Sequence, residues 1–487
     1  MHLQKRTFLL VLLFAILVRL LTLGAYPLFD TTEARYAEIA RKMVETGNWV
    51  TPQIDYGIPF WGKPPLSTWL AAGFIKFFGV NELAARLPSF MLALLIGWLI
   101  YYLALRQRGW DYALMGVLVL ATAALFFFMA GQVMTDQALA LGTTLSMVAF
   151  WRALAETGST GRAWGYLFFA GLGVGILAKG LVAIVLTLLP IGVWMVWHKR
   201  WRTPFNRLPW VLGTLLMLGI ALPWYLLAET RTPGFLEYFI VGEHWGRFTQ
   251  SGWRGDLYGS AHVHSYGMIW LYWVAAAFPW SLILIFFLVK RVLPFGLPYI
   301  AIVKDEWLTY LLLWAVMPLI FFTFTTNILL TYVLPSLPAF ALLMTEALQW
   351  TTQRGSTADT SLGSARLIFI CLATPLIALF LLIFIVPNVA PYKSQKELVA
   401  LYKTLRSDSS SRLIYLSQRP YSAEFYSQGK AEQIADLNKA AISISDAKES
   451  FIAAREEDLK HMPHAVLMQL EPIGRFGHYE LLRKHSR

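Results

Sequence analysis

The chain has 487 residues, 57% of them hydrophobic and 14% charged, with 20 Trp, 32 Phe and 21 Tyr. Together with a mean hydropathy of +0.53, this excludes a soluble globule and indicates a polytopic membrane protein. The formal net charge of +12 does not indicate nucleic acid. Lys and Arg sit in short loops between apolar runs, where the positive-inside rule and an anionic lipid or phosphate ligand account for them.

Lys5 and Arg6 precede an apolar run from Thr7 to Leu23 that is long enough to span a bilayer. A cleaved signal peptide is the rival reading, with Leu23-Gly24-Ala25 as a small-residue site; a retained anchor is preferred because many spans follow. Arg19, late in this run, is expected to face the protein interior or to snorkel outward.

The stretch Tyr26–Pro65 follows and carries Asp30, Glu33, Arg35, Glu38, Arg41, Lys42, Glu45 and Lys63. Asp30 and Glu33 have the spacing of a helix N-cap and its third residue. The predicted helix runs to Glu45, with Gly47 as its C-terminal stop. Pro52, Gly57, Pro59, Gly62, Pro64 and Pro65 then forbid a long regular element. Such irregular chain lies at the interface or lines a cavity.

Further spans are predicted at 87–105, 112–131, 138–154, 164–178, 181–197, 209–228, 267–289, 307–325, 328–348 and 367–387, which makes about eleven in all. With the N-terminus cytoplasmic, nearly every basic cluster between spans falls on the inner side: Arg106 and Arg108, Arg162, Lys199 to Arg207, Lys290 to Lys304, Arg354 and Arg366. The outer face then receives residues 26–86, the Met134-Thr135-Asp136 turn, Lys179, the loop from Ala228 to Tyr266, the Thr325-Thr326-Asn327 turn and the C-terminal hundred residues. From about Ala390 charges become frequent. RLIYLS, AISIS and AVLMQLE read as strands around a helix near Lys396 to Arg406, which predicts a small α/β domain. The expected organisation is a transmembrane domain over 1–389, with its first outer loop at 25–86, and a soluble domain over 390–487. Gly355 to Ser364 reads as a flexible inner loop. Cys371 is the only cysteine, so disulfides and cysteine metal clusters are excluded.

On the outer side, Asp30 and Asp136 each suit a general base on a sugar hydroxyl, and each equally suits a helix cap. Lys63, Lys179, Arg35 and Arg247 lie where the positive-inside bias depletes cations. Converging, they suit a phosphate; singly, each suits snorkelling to headgroups. Glu243-His244, with His262 and His264, offers ordinary zinc ligands at a spacing that matches no firm motif, and a hydrogen-bonding role is the plainer reading. Aromatics from Trp245 to Trp270 read either as a sugar or lipid site or as an interfacial belt.

The runs DTTEARYAEIARKM, GNWVTPQI, WGKPPLSTW, VMTDQALAL, GLGVGILAKGLVAI, LPWYLLAE, YFIVGEHWGRF and LTYVLPSLPAFALLM occur in this order over residues 1–350. Together they resemble the C-type polyprenyl-phosphate glycosyltransferases, above all the lipid A aminoarabinose transferases and the dolichyl-phosphate-mannose-type protein mannosyltransferases. RPYSAEFYSQGKA extends the resemblance into the C-terminal part.

The resemblance implies a multi-pass enzyme of the bacterial inner membrane with its active site on the periplasmic side. Such an enzyme moves a sugar from a polyprenyl phosphate, such as undecaprenyl phosphate, to lipid A, an envelope glycan or a protein, with inversion. Its partners are this donor, the acceptor and membrane lipids, with no nucleic acid. By position, Lys63 matches the lysine of the family's GKP or EKP, Lys179 that of its TKG, and Arg247 the arginine of its EHxxRF. Glu33, Arg35 and Tyr36 match its E-x-R-Y, Asp136 a second acidic position, and Tyr332 the tyrosine of its PTY.

Three departures stand out. Thr32 occupies the family's usual acid position, so Asp30 must reach the same place or Glu33 or Asp136 must act. Gly62 replaces a carboxylate proposed to help hold a divalent metal, which leaves Glu243 and His244 as the candidate ligands and no certain cofactor. The lysine-rich KGKLPTY is here Thr326-Asn327-Ile328-Leu329-Leu330-Thr331-Tyr332, which argues against an orthodox aminoarabinose site. The expected mechanism has Lys63, Arg35 and Arg247 holding the donor phosphate with Tyr332, and Asp30 removing the acceptor proton. A polyprenyl-lipid transporter or flippase is the alternative; it predicts repeated halves with broken helices, and no internal repeat is visible.

Overall fold

The computed structural model describes residues 2–259, 262–289, 304–354, 363–406, 411–437, 439–440, 442 and 449–484. It is a mostly helical membrane protein with a small C-terminal sheet. The chain divides into two compact units, Met1–Leu21 with Pro59–Ser67 and Leu87–Leu379, and Thr22–Ile58 with Thr68–Arg86 and Phe380–Arg487. The second unit joins most of the expected first outer loop, Thr22–Ile58 and Thr68–Arg86, with Phe380–Arg487.

Seven described helices are long and apolar enough to cross a membrane: Glu82–Arg108, Asp136–Ala155, Gly158–Lys179, Trp210–Arg231, Glu306–Thr323, Leu330–Trp350 and Ala365–Lys393. Leu66–Phe78, Trp110–Thr122 and Val182–Trp197 are shorter apolar helices. Two expected spans are not single helices. The 112–131 run breaks at Ala123, where the backbone turns extended, into Trp110–Thr122 and Ala124–Met129. The 267–289 run is a pair, Met268–Ala276 and Trp280–Phe287, bent by 109°. Pro279 stands at that break, where it cannot donate a helical hydrogen bond. Helix Leu66–Phe78 falls in none of the expected spans.

In the first unit the core runs through most of the helices, from Val11 to Cys371. Arg19 is 4% exposed and donates to the Phe128 carbonyl at 2.9 Å, so it faces the protein interior. Helix Asp136–Ala155 is among the most deeply buried, and its neighbour Gly158–Lys179 lies close against it. Small residues allow this approach. A Cβ on Gly142 would fall 2.6 Å from the Gly175 nitrogen and 2.8 Å from the Gly171 carbonyl. The two helices are consecutive, so Asp136 at the start of one meets Lys179 at the end of the other.

In the second unit, helix Thr32–Thr46 ends at Gly47, which is left-handed at φ 67°, as the sequence predicts. Its N-cap is Thr31, not Asp30, and no side chain caps it. Strands β1 (Gln53–Asp55) and β2 (Ile58–Pro59) form a small hairpin. The C-terminal sheet contains β3 (Arg412–Leu416), β4 (Ala431–Ile434), β5 (Ser450–Arg455), β6 (Leu470–Phe476) and β7 (Tyr479–Lys484) in the order β4-β3-β5-β7-β6. β3 pairs parallel with β4 and β5, whereas β7 pairs antiparallel with β5 and β6.

Both faces of this sheet are covered, which is why β3 reads as a continuous apolar run. Leu413, Tyr415, Phe451 and Ala453 pack with Leu398 and Tyr402 of helix Lys396–Leu405 on one face. Ile414, Leu416, Ile452 and Ala454 pack with Met462 and Val466 on the other. RLIYLS is thus a strand, as expected. AVLMQLE is not: its first residues belong to a short helix, His464–Leu467, and the strand begins at Leu470. Most of AISIS and of the Gly355–Ser364 loop lies outside the described residues, as do Lys290 and Arg291.

Candidate active site

The expected site residues form two groups, one in each unit. In the first unit the loop Trp61-Gly62-Lys63 is fixed from both sides. The Trp61 N–H donates to the Tyr258 hydroxyl at 2.9 Å, that hydroxyl donates to the Pro59 carbonyl, and the Trp61 indole donates to Thr232. This anchoring brings Lys63 to segment Glu237–Gly246, a ten-residue π-helix. Lys63 Nζ lies 2.8 Å from Glu243 Oε2, and Arg247 Nη1 lies 3.1–3.2 Å from both Glu243 oxygens. Asp256 is a second carboxylate at Arg247, at 3.5 Å.

The Glu243 side chain is only 4% exposed. Burial alone would raise its carboxyl, but Lys63 and Arg247 outweigh that and hold it below the usual range. His244 Nδ1 bonds the Phe239 carbonyl at 2.7 Å, and its ring packs on Gly180, where a Cβ would collide with Nε2. Burial lowers this imidazole, which favours its neutral form.

Lys179 closes the first group. Its Nζ is 2.5 Å from Asp136 Oδ1 and 4.6 Å from the centre of the Tyr332 ring. Tyr332 sits on the 3-10 turn Leu330–Ser336 and also interacts with Arg247. Asn327 fixes that arginine's backbone: its Nδ2 donates to the carbonyls of Arg247 at 2.6 Å and Gln250 at 2.7 Å. Where the sequence departs from the family's lysine-rich run, an amide thus staples the Arg247 segment.

Lys63, Asp136, Lys179, Glu243, His244, Arg247 and Tyr332 therefore converge in one unit, drawn from five separate stretches of chain. The Glu243-His244 pair does not fit a metal site. Both Glu243 oxygens are taken by cations, and among the described residues no three His, Cys, Asp or Glu side chains gather in a metal-like group. Asp136 is the first residue of its helix, and its carboxylate pairs with Lys179 instead of capping.

The second unit holds Asp30, Glu33, Arg35 and Tyr36. Asp30 accepts from the Ser422 N–H at 3.0 Å and from the Ser422 hydroxyl, while its own N–H donates to the Lys393 carbonyl at 2.8 Å. Burial raises its carboxyl to about 6, although those hydrogen bonds pull it down. Glu33 is 5% exposed and held by Arg86 through two bonds of 2.8 Å. Arg86 is fully buried and also donates to the carbonyls of Leu23, Tyr26 and Pro27. Glu33 therefore helps hold the entry to its helix together, with both carboxylate oxygens on Arg86. Arg35 bonds the Tyr421 hydroxyl and lies 5.5 Å from the Tyr36 ring.

Sequence reasoning missed Arg86, Ser422 and Asp256. It also missed a buried network in which Lys42 pairs with Glu424 at 2.7 Å and with Glu38 at 3.4 Å. The available signal was that of cations and acids spaced along a loop beside apolar runs. That spacing gives no partner when the partner is some 380 residues away.

Known proteins resemble this chain in both sequence and fold. The family model described as dolichyl-phosphate-mannose-protein mannosyltransferase matches residues 4–239. An undecaprenyl phosphate-alpha-4-amino-4-deoxy-L-arabinose arabinosyl transferase of Erwinia tasmaniensis is 31% identical over 68% of this chain and 57% of its own length. A transferase of the same name from Pseudomonas aeruginosa is 30% identical over 71% of this chain and 60% of its own. The chain thus spans less than two thirds of these relatives. The crystal structure of ArnT from Cupriavidus metallidurans bound to undecaprenyl phosphate superposes with a TM-score of 0.76 over 98% of this chain and 97% of that one, at 20% identity. The apo form of that protein gives 0.74 over the same shares. These two likenesses establish the fold.

Proposed function

We propose that this chain, which resembles the C-type polyprenyl-phosphate glycosyltransferases in sequence and fold, moves a sugar from a polyprenyl phosphate to an extracytoplasmic acceptor with inversion. Undecaprenyl phosphate is the carrier favoured by its relatives, and lipid A, an envelope glycan or a protein is the acceptor. The observation that carries this reading is the convergence of Lys63, Lys179 and Arg247 with Tyr332 in one unit. Three cations gathered from distant stretches suit a phosphate better than three lysines and arginines snorkelling separately do.

In this reading the cations stabilise the negative charge that grows on the leaving lipid phosphate, the larger electrostatic task of the reaction. Tyr332 packs beside them and fixes Lys179. Asp30 is the favoured base. Its carboxyl, raised to about 6, sits where a general base is both ionised and able to take a proton near neutral pH. Attack from the face opposite the phosphate inverts the anomeric centre. With the N-terminus in the cytoplasm, the loop around Asp30 and the C-terminal sheet lie on the periplasmic side of the inner membrane.

The test is sugar transfer by purified protein in lipid, offered a panel of undecaprenyl-phosphate sugars with lipid A and total envelope acceptors. Lys63→Ala should lose on the order of 10²-fold or more in turnover, the scale for removing one charge-stabilising group, while still inserting in the membrane. A Lys63→Ala protein with most of its activity would sink the phosphate assignment. Donor binding with no transfer by the unmutated protein would leave a carrier or flippase.

A further inference from the structure

The converged cations carry no surplus charge. Lys63 and Arg247 both bind Glu243, Arg247 also meets Asp256, and Lys179 is paired with Asp136. Three cations face three carboxylates. An anion brought into such a neutral, half-buried set must lose its hydration without a net attraction to offset the loss. One carboxylate has to withdraw before a lipid phosphate gains from the cations.

We propose that Glu243 is that carboxylate: it stands in for the donor phosphate between Lys63 and Arg247, and the phosphate displaces it on binding. The proposal rests on the reading of Lys63 and Arg247 as phosphate ligands. Glu243 bridges two of the cations, with Oε2 2.8 Å from Lys63 and both oxygens within 3.2 Å of Arg247. Tyr238 adds only a long contact at 3.4 Å. A phosphate offers two oxygens to the same pair of donors in the same geometry.

The other two acids are poorly suited to leaving. Asp136 is the first residue of a 20-residue helix packed through Gly142, and Asp256, only 3.5 Å from Arg247, is held by the Tyr258 N–H at 2.9 Å. Glu243 instead lies in the π-helix Glu237–Gly246. π-turns are rare, occur mostly as single turns and collect at functional sites. Moving one residue of register between π and α winding turns a side chain by about 100°, enough to swing Glu243 off the cations without unfolding the segment. Gly242, next to Glu243, presents no side chain to that movement.

The experiment measures undecaprenyl phosphate binding by the purified full chain in lipid nanodiscs, for the unmutated protein, Glu243→Gln and Lys63→Ala. Glutamine keeps the size and one acceptor but leaves the cations with a surplus charge. The expected result is about tenfold tighter binding by Glu243→Gln, the scale of one charged hydrogen bond no longer competing. Equal or weaker binding by a folded Glu243→Gln protein overturns the proposal and makes Glu243 a fixed positioning residue. Lys63→Ala separates the two levels: binding undiminished there sinks the phosphate reading itself, whereas binding lost there with Glu243→Gln unimproved sinks only the displacement. Hydrogen exchange of the unmutated protein gives a second measurement if Glu243→Gln does not fold. Amides 237–246 should change their exchange when undecaprenyl phosphate is added, and unchanged exchange overturns the proposal.

Discussion

Asp30→Asn separates the charge of this carboxylate from its hydrogen bonds. Burial holds the Asp30 carboxyl at about 6, against an ordinary 3.8, despite the bonds from Ser422. At 1.36 kcal/mol per pKa unit, ionising it in the fold costs roughly 3 kcal/mol more than in the unfolded chain. The sign follows from proton binding. Between about pH 4 and 6 the folded state holds this proton and the unfolded state does not, so stability falls as pH rises through that window and stays reduced above it. Asparagine accepts from the Ser422 N–H as aspartate does, and its amide can donate to the Ser422 hydroxyl, without a charge to desolvate. For a unit of this size roughly 2–4 °C of midpoint corresponds to each kcal/mol. Asp30→Asn should therefore melt roughly 6–12 °C above the unmutated protein at pH 8 and no higher at pH 4. Tryptophan-fluorescence melts across pH 4–8 check this, and a variant that melts below the unmutated protein at pH 8 refutes the reasoning. If Asp30 is also the base, the same variant is inactive, and turnover by the unmutated protein falls on the acid side of about pH 6 instead of about pH 4.

Other perturbations follow from the same geometry. Lys179→Met leaves Asp136 buried without its cation and should cost about 3–5 kcal/mol. The double variant with Asp136→Asn should recover part of that loss, and a double variant no better than the single one denies the coupling. Arg86→Lys retains the charge but cannot reach Glu33 and three carbonyls with one ammonium. It should lower the melting midpoint clearly while Lys76→Arg, on a more exposed position, leaves it unchanged. Gly142→Val forces a side chain into the Gly171 and Gly175 backbones and should cost at least about 1–3 kcal/mol. Thermal unfolding checks it, and a Gly142→Val protein as stable as the unmutated one would show that this helix pair has room to part.

Several features were determined by sequence alone, through local chemistry. The hydrophobic runs define a polytopic membrane protein because their length and apolarity suffice without any partner. Gly47 ends helix Thr32–Thr46 because a left-handed residue there favours glycine. Motif matches grouped Arg35, Tyr36, Lys63, Lys179, Arg247 and Tyr332; the last four gather in the first unit, whereas Arg35 and Tyr36 belong to the second. Arg19 was expected to turn from lipid or to snorkel, and burial against Phe128 settles which.

Only the tertiary structure decided what each charge meets. Asp30 and Glu33 look alike in a loop sequence, yet one binds Ser422 near the C-terminus and the other is locked by Arg86. Glu243 beside His244 suggested a metal, but Lys63, 180 residues upstream, claims its carboxylate. The straight apolar runs at 112–131 and 267–289 hide breaks, since hydropathy is blind to backbone direction. Periodicity and composition report the solvent that a segment meets. The partner of a buried charge is chosen by packing across hundreds of residues, where desolvation makes each contact decisive and nothing in the local sequence records it.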